Sequence, residues 1–272
     1  SSNLKPGKYA FYSDMALPEI VESLAQGGEV EVRIVIFEGW TMADIAQKLE
    51  EKHIVSSTDF FAVAGYPTID YRVNTELPRP ADFSKKFPLL GAKPWYVSME
   101  GYLFPDTYLF FRDSTPEEVI EKMLQNLEDK ITPDIREEMT RQNKKIHEVL
   151  TAASLIEREV KKEDDRATVS GVIWNRLSIS MPLQIDATVN YVTGKSDPSV
   201  LRADIKINSL YNTYLYPGLP LGPISNPGLS AIRAALYPKK SQYLYYLSTP
   251  EGKTIFSKTL DEHNAAKQKY LR

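Results

Sequence analysis

The run Ile146-His-Glu-Val-Leu-Thr-Ala-Ala-Ser-Leu-Ile-Glu157-Arg-Glu-Val160 decides how this chain reads. Its apolar residues recur at steps of three and four, the mark of an amphipathic helix. At about 3.6 residues per turn, Ile146, Leu150, Ala153, Glu157 and Val160 share one face, flanked by Val149. A carboxylate on that stripe points where a core side chain belongs. Burial disfavours its charged form and raises its pKa. A carboxylic acid still protonated near neutral pH can donate a proton to a leaving group, so Glu157 is the candidate general acid. The competing reading is structural: a buried Arg holds the carboxylate, because ion pairs also perturb pKa values. Glu159 lies about 200° round the helix and reads as the solvated partner of Arg158 or Lys162.

Composition sets the outer bounds. The chain has 272 residues, 42% of them hydrophobic and 25% charged, the balance of a soluble globular protein with a sizeable core. Net charge is −3 with the signs interspersed, which gives no nucleic-acid footprint. With no Cys there is no disulfide and no thiolate nucleophile. His53, His147 and His263 are far apart and form no ligand-spaced pair, so no metal site is expected. His53 and His147 are assigned to helix surfaces. No stretch approaches the roughly 20 apolar residues of a membrane span, and no signal peptide is visible. The chain begins Ser1-Ser2-Asn3, which reads as a trimmed start.

The pattern along the chain predicts an α+β protein in two parts. Residues 1–95 form a small N-terminal unit and connector. Leu17–Gln26 is a helix stopped by Gly27-Gly28, and Glu29–Phe37 alternates as a strand. Thr41 and Asp44 begin a helix with stripe Met42, Ile45, Ala46 and Leu49, and Thr58–Ala64 follows as another. This order of strand, helix, turn and helix resembles the LysM-type carbohydrate-binding module. Residues 66–98, rich in Pro and aromatics, are the connector. Residues 96–272 form the second domain. Within it Pro105 interrupts an edge strand, and Thr115-Pro116 opens a helix to about Lys130. Helices follow over Pro133–Gln142, Ile146–Lys162 and Arg166–Leu177. Gln242–Ser248 and Thr254–Ser257 form a hairpin, and Thr259 caps a last helix.

Polar segments stand out against this background. Asn175-Arg-Leu177 ends one helix. Met181-Pro-Leu-Gln184-Ile-Asp186-Ala-Thr188 alternates, so Gln184 and Asp186 face one way if extended. Tyr211-Asn212-Thr-Tyr214 and the Pro/Gly-rich run Gly218–Gly228, with Ser225-Asn226, follow. Amides and phenols beside a rigid loop suit a saccharide groove. The plain alternative is a helix-capping Asn226 and a stiff connector.

Taken together, these segments resemble one family. Glu100-Gly-Tyr102-Leu-Phe-Pro-Asp-Thr-Tyr108, Ala153-Ser-Leu-Ile-Glu157-Arg-Glu159, Val172-Ile-Trp-Asn-Arg-Leu177, Leu183-Gln-Ile-Asp186, Tyr211-Asn-Thr-Tyr214, Gly218-Leu-Pro with Pro223-Ile-Ser-Asn-Pro-Gly228, Tyr243-Leu-Tyr-Tyr246 and His263-Asn264 occur in the order of the MltG (YceG-like) endolytic murein transglycosylases. The likeness runs from about Phe37 to the end.

The resemblance implies a lyase that cuts the MurNAc–GlcNAc β-1,4 bond of nascent peptidoglycan strands, leaves 1,6-anhydroMurNAc ends and terminates elongation. It places the catalytic acid on Glu157 and sugar contacts on Glu100, Tyr102, Asn175, Gln184, Asp186, Asn212, Tyr214 and Asn226. No cofactor and no nucleic acid are implied. The implied partners are peptidoglycan strands and peptidoglycan synthases. The family's short cytoplasmic segment and single membrane helix are absent here, so this chain is expected to be a soluble, extracytoplasmic part. Two rivals stay open: a hydrolase pairing Glu157 with Asp186 or Glu100, and a non-catalytic wall-binding protein.

Overall fold

The computed structural model describes residues 4, 5, 7, 9, 11, 15–27, 31–160, 162–195 and 200–271. Among them the order is α1 (Leu17–Gln26), β1 (Val32–Val35), α2 (Met42–Glu51), α3 (Ser57–Ala64), β2 (Thr107–Phe110), α4 (Pro116–Lys130), α5 (Pro133–Arg141), α6 (Ile146–Glu159), α7 (Glu163–Ser178), α8 (Asp186–Thr193), α9 (Leu229–Leu236), β3 (Tyr245–Ser248), β4 (Thr254–Ser257) and α10 (Leu260–Tyr270). Two short 3-10 turns lie at Pro88–Ala92 and Asp204–Lys206. The architecture is mixed α+β, with helices dominating two small antiparallel sheets.

Local chemistry sets the helix starts. The Thr41 hydroxyl accepts the Asp44 N–H while the Asp44 carboxylate accepts the Thr41 N–H, a reciprocal cap on α2. Thr115 and Glu118 do the same for α4, whose first residue is Pro116. The predicted α2 stripe of Met42, Ile45, Ala46 and Leu49 is fully buried.

Packing joins elements distant in sequence. α6 packs on α9, α7 and α8, and its residues Val149, Leu150, Ala153 and Ile156 are inaccessible to solvent. β1 pairs with β2, matching Val32 to Phe110 and Ile34 to Tyr108, so Ile34, Tyr108 and Phe110 enter the core together. One hydrophobic core runs from Ile34 through Tyr102 to Leu236, continuous across residues 95 and 96.

A buried polar junction reinforces that contact. The Asn226 side-chain oxygen accepts the Gly101 and Leu103 N–H groups at 2.9 and 3.0 Å. Its amide nitrogen donates to the Trp40 carbonyl and to Glu100 at 3.1 and 2.9 Å. The Gly39 N–H reaches the Asn226 carbonyl at 2.9 Å. Gly101 has φ +84°, and a Cβ there would lie 2.3 Å from Pro223, so only glycine fits.

Several expectations are corrected. The first strand covers Val32–Val35 rather than 29–37; Glu29 and Val30 lie outside the described residues, as does Gly28. α6 stops at Glu159, because Val160 turns extended at φ −131°. The alternating run 183–188 is not a strand: Asp186 opens α8. His147 is not a surface residue, since its ring accepts from Tyr102 at Nδ1 (3.0 Å) and donates to the Leu221 carbonyl from Nε2 (3.1 Å).

Candidate active site

A groove of about 910 Å³ opens where the C-terminal end of α6 meets α7, the start of α8, β3 and α10. Arg158 and Glu159 come from α6, Arg176 from α7, and Gln184 and Asp186 from the entry to α8. Tyr214, Tyr245, Tyr246, His263 and Lys267 also line it.

Glu159 is the acid that faces this space. It is half-buried, and the Tyr246 hydroxyl donates to its Oε2 at 2.9 Å. Burial pushes its carboxyl up to about 7, and the nearby Asp186 charge adds to the rise, against the Tyr246 hydrogen bond and Arg158. A carboxyl poised there is part protonated at neutral pH, where proton transfer is most effective. Its orientation follows from helix geometry. The α6 face that carries Glu157 meets α7 and α9, and Glu159, about 200° away, turns towards β3 and α8.

Asp186 sits in the first turn of α8 and accepts the Tyr214 hydroxyl. Gln184 lines the same groove with φ +52°, a left-handed conformation that is costly for a residue with a Cβ. Its N–H is held by the Thr213 carbonyl at 3.1 Å, and Leu183 and Ile185 are buried on either side. This strained turn stops the chain from continuing as a strand. Arg176 donates to the Leu183 and Leu244 carbonyls at 2.8 and 2.5 Å and lies 4.9 Å over the Tyr245 ring. Asn175 donates to the Ser241 and Tyr243 carbonyls at 3.0 and 2.9 Å. Asn175 and Arg176 thus fasten the hairpin strand to α7.

Glu157 lies elsewhere. Its side chain is 6% exposed, Arg166 donates to Oε1 at 2.6 Å, and the Gly228 N–H donates to Oε2 at 3.1 Å. Burial raises this carboxyl, opposed by the Gly228 amide and Arg166. The buried Arg of the structural reading is therefore present as Arg166. Glu157 joins α6 to α7 and to the start of α9. Glu38 packs over the same spot, since a Cβ on Gly228 would lie 1.8 Å from its Oε1.

Among the sugar contacts expected from the sequence, Gln184, Asp186 and Tyr214 line the groove. The others are corrected by burial or by their partners. Glu100 is 1% exposed and bound by the Met42 N–H, Asn226 and Tyr191; burial pushes it up to about 8. Tyr102 is fully buried against His147. Asn212 is buried and donates to the Ile205 and Ile207 carbonyls. Asn226 is the inaccessible junction described above, and Asn175 is committed to the hairpin. Glu159 is half-buried in the groove and bonded to Tyr246, which corrects its reading as a solvated surface partner. Sequence reasoning also missed Arg176, Tyr246 and His263 as groove residues, although their motifs were singled out.

Two carboxyls, Glu159 and Asp186, set among phenols, amides and cations in an open polar groove, make a site suited to acid-assisted cleavage of a long polar substrate such as a glycan. The chain belongs to the YceG-like family, whose model matches residues 1–269. It is similar to the endolytic murein transglycosylase of Bacillus subtilis (strain 168), 36% identical over 278 residues, covering all of this chain and 74% of that protein. The protein of the same name from Streptococcus pneumoniae serotype 2 is 30% identical over 97% of this chain. The chain spans about half (50%) the length of that pneumococcal relative. A crystal structure of a yceG-like protein from Listeria monocytogenes superposes with a TM-score of 0.76 at 35% identity, covering 97% of this chain and 86% of the other. Among the described residues no helix is long and apolar enough to cross a membrane.

Proposed function

We propose that this chain cuts peptidoglycan strands internally at the MurNAc–GlcNAc β-1,4 bond, with Glu159 as the acid. The observation that carries this reading is the half-buried Glu159 carboxyl lining the groove and accepting the Tyr246 hydroxyl, in surroundings whose burial raises its pKa. The family and the activity for which the relatives are named supply the substrate class.

The mechanism needs one carboxyl used twice. Glu159 gives its proton to the leaving glycosidic oxygen. The resulting carboxylate then takes the proton of the MurNAc C6 hydroxyl as that oxygen bonds to C1. The product is a 1,6-anhydroMurNAc end, and cutting nascent strands this way terminates their elongation. Tyr246 orients the carboxyl, and Gln184, Asp186 and Tyr214 bind sugar hydroxyl and acetamido groups. Residues 1–95 act as a LysM-like unit and connector that positions the strand, and residues 96–272 carry the chemistry. The work takes place outside the cytoplasm, at a membrane-held enzyme beside peptidoglycan synthases.

A second reading has one observation in its favour. Asp186 shares the groove with Glu159, so the pair could serve as the two carboxyls of a hydrolase.

The assignment of the acid is tested by two substitutions assayed on purified strands. Glu159→Gln should lower the rate by about 10²-fold or more, the usual contribution of general acid catalysis, while remaining folded. Glu157→Gln should act mainly on stability, costing roughly 3–5 kcal/mol by stranding Arg166. Near-full activity in Glu159→Gln, with a stable but inactive Glu157→Gln, would return the role to Glu157.

A further inference from the structure

One wall of the groove has no part in the proton transfer. Leu260, His263, Lys267 and Leu271 follow one another at helical steps of three and four, and all four line the cavity. Leu260 and Leu271 are about half exposed, at 54% and 48%. His263 is 9% exposed and stacks on Tyr245 with ring centroids 5.2 Å apart. Its Nδ1 is buried with no hydrogen-bond partner. An orphaned buried nitrogen needs an explanation, and a missing ligand is one. Lys267 forms no ion pair among the described residues, and Arg176 is bonded there only to carbonyls.

We propose that this α10 wall is the subsite for the peptide stem of the muramic acid whose bond is cut. The inference rests on the functional reading above. Muramic acid carries its peptide on the lactyl group at C3, so a site that clasps this sugar must leave room beside the scissile bond. The groove has that room: about 910 Å³ is near the top of the roughly 300–1,000 Å³ range of small-molecule sites. The chemistry also matches. The leucines suit alanyl methyls, Lys267 and Arg176 suit the stem's free carboxylates, and a neutral imidazole suits a peptide amide, which both donates and accepts. Burial holds His263 below its ordinary pKa, with the Lys267 and Arg176 charges adding to the effect, which favours the neutral ring. The groove thus offers Glu159 and Asp186 for the sugar, and the α10 residues Leu260, His263 and Lys267 for the peptide.

Two measurements test this. In the first, a soluble muramyl tripeptide is titrated into the whole chain while His263 ring resonances are followed by NMR. The tripeptide should shift them and MurNAc without peptide should not. Lys267→Met should weaken tripeptide binding by about tenfold, the size of one charged hydrogen bond. In the second, cleavage of peptide-bearing strands is compared with cleavage of enzymatically denuded strands of equal length. The wild type should favour the former in kcat/KM, and Lys267→Met should move that ratio towards one. Equal shifts with both ligands, or a ratio unchanged by Lys267→Met, would overturn the proposal. If the wild type cut neither strand, the functional reading would fail and the titration would still decide this one.

Discussion

Two carboxyls two residues apart on α6 meet opposite surroundings. Glu157 is enclosed by Arg166 and the Gly228 amide, and both oxygens are committed. Glu159 accepts the Tyr246 hydroxyl, is also met by the Ala187 backbone amide, and lines the groove. The sequence shows the first environment and hides the second. The 3.6-residue period marks Glu157 as pointing inward, and that inward direction is real. What it meets there depends on Arg166, the first-turn cation of the next helix. The groove around Glu159 is built from Asp186, Tyr214, Tyr246 and His263, which no local periodicity connects. A prediction follows from the raised carboxyl. As general acid, Glu159 must be protonated in the free enzyme, so kcat/KM should fall as pH rises through about 7. A pH–rate profile on soluble strands checks this; a rate that climbs steadily from pH 6 to pH 9 would count against an acid in this position.

At the scale of elements, regular periods and caps were legible and irregular turns were not. The stripe of α2 and the caps of α2, α4 and α10 are local, and each forms where its pattern lies. α8 was masked because Leu183, Gln184, Ile185 and Asp186 alternate in polarity as a strand would. Gln184 instead adopts φ +52°, turning the chain into a helix, and alternation carries no record of that angle. The resemblance implies sugar contacts at Glu100 and Asn226, yet these residues form a buried lock between α2, the 100–103 turn and the 223–228 loop. Such a lock tolerates no extra atom at Gly101. Gly101→Ala would combine a disallowed φ with a Cβ 2.3 Å from Pro223, and should cost about 2–4 kcal/mol. Urea unfolding measures it, and a loss within experimental error would show that the loop yields easily.

Across the whole molecule the N-terminal elements are tied into the part that carries Glu159. β1 is the partner of β2, the Met42 N–H binds Glu100, and the Gly39 turn lies against Glu157 and Asn226. A chain starting at residue 96 should therefore lose its cooperative thermal transition, as followed by circular dichroism. A folded, active fragment would show that the two parts are independent. Glycan positioning and bond cleavage are thus expected to belong to one folding unit, with the strand held on the N-terminal elements and cut at the end of α6. The most direct test of that chemistry is to run the reaction on purified strands in ¹⁸O-water and weigh the new ends. Wild type should give 1,6-anhydroMurNAc ends without label, and Glu159→Gln should give almost none. Reducing ends carrying ¹⁸O would contradict the account and make Asp186 the second carboxyl of a hydrolase.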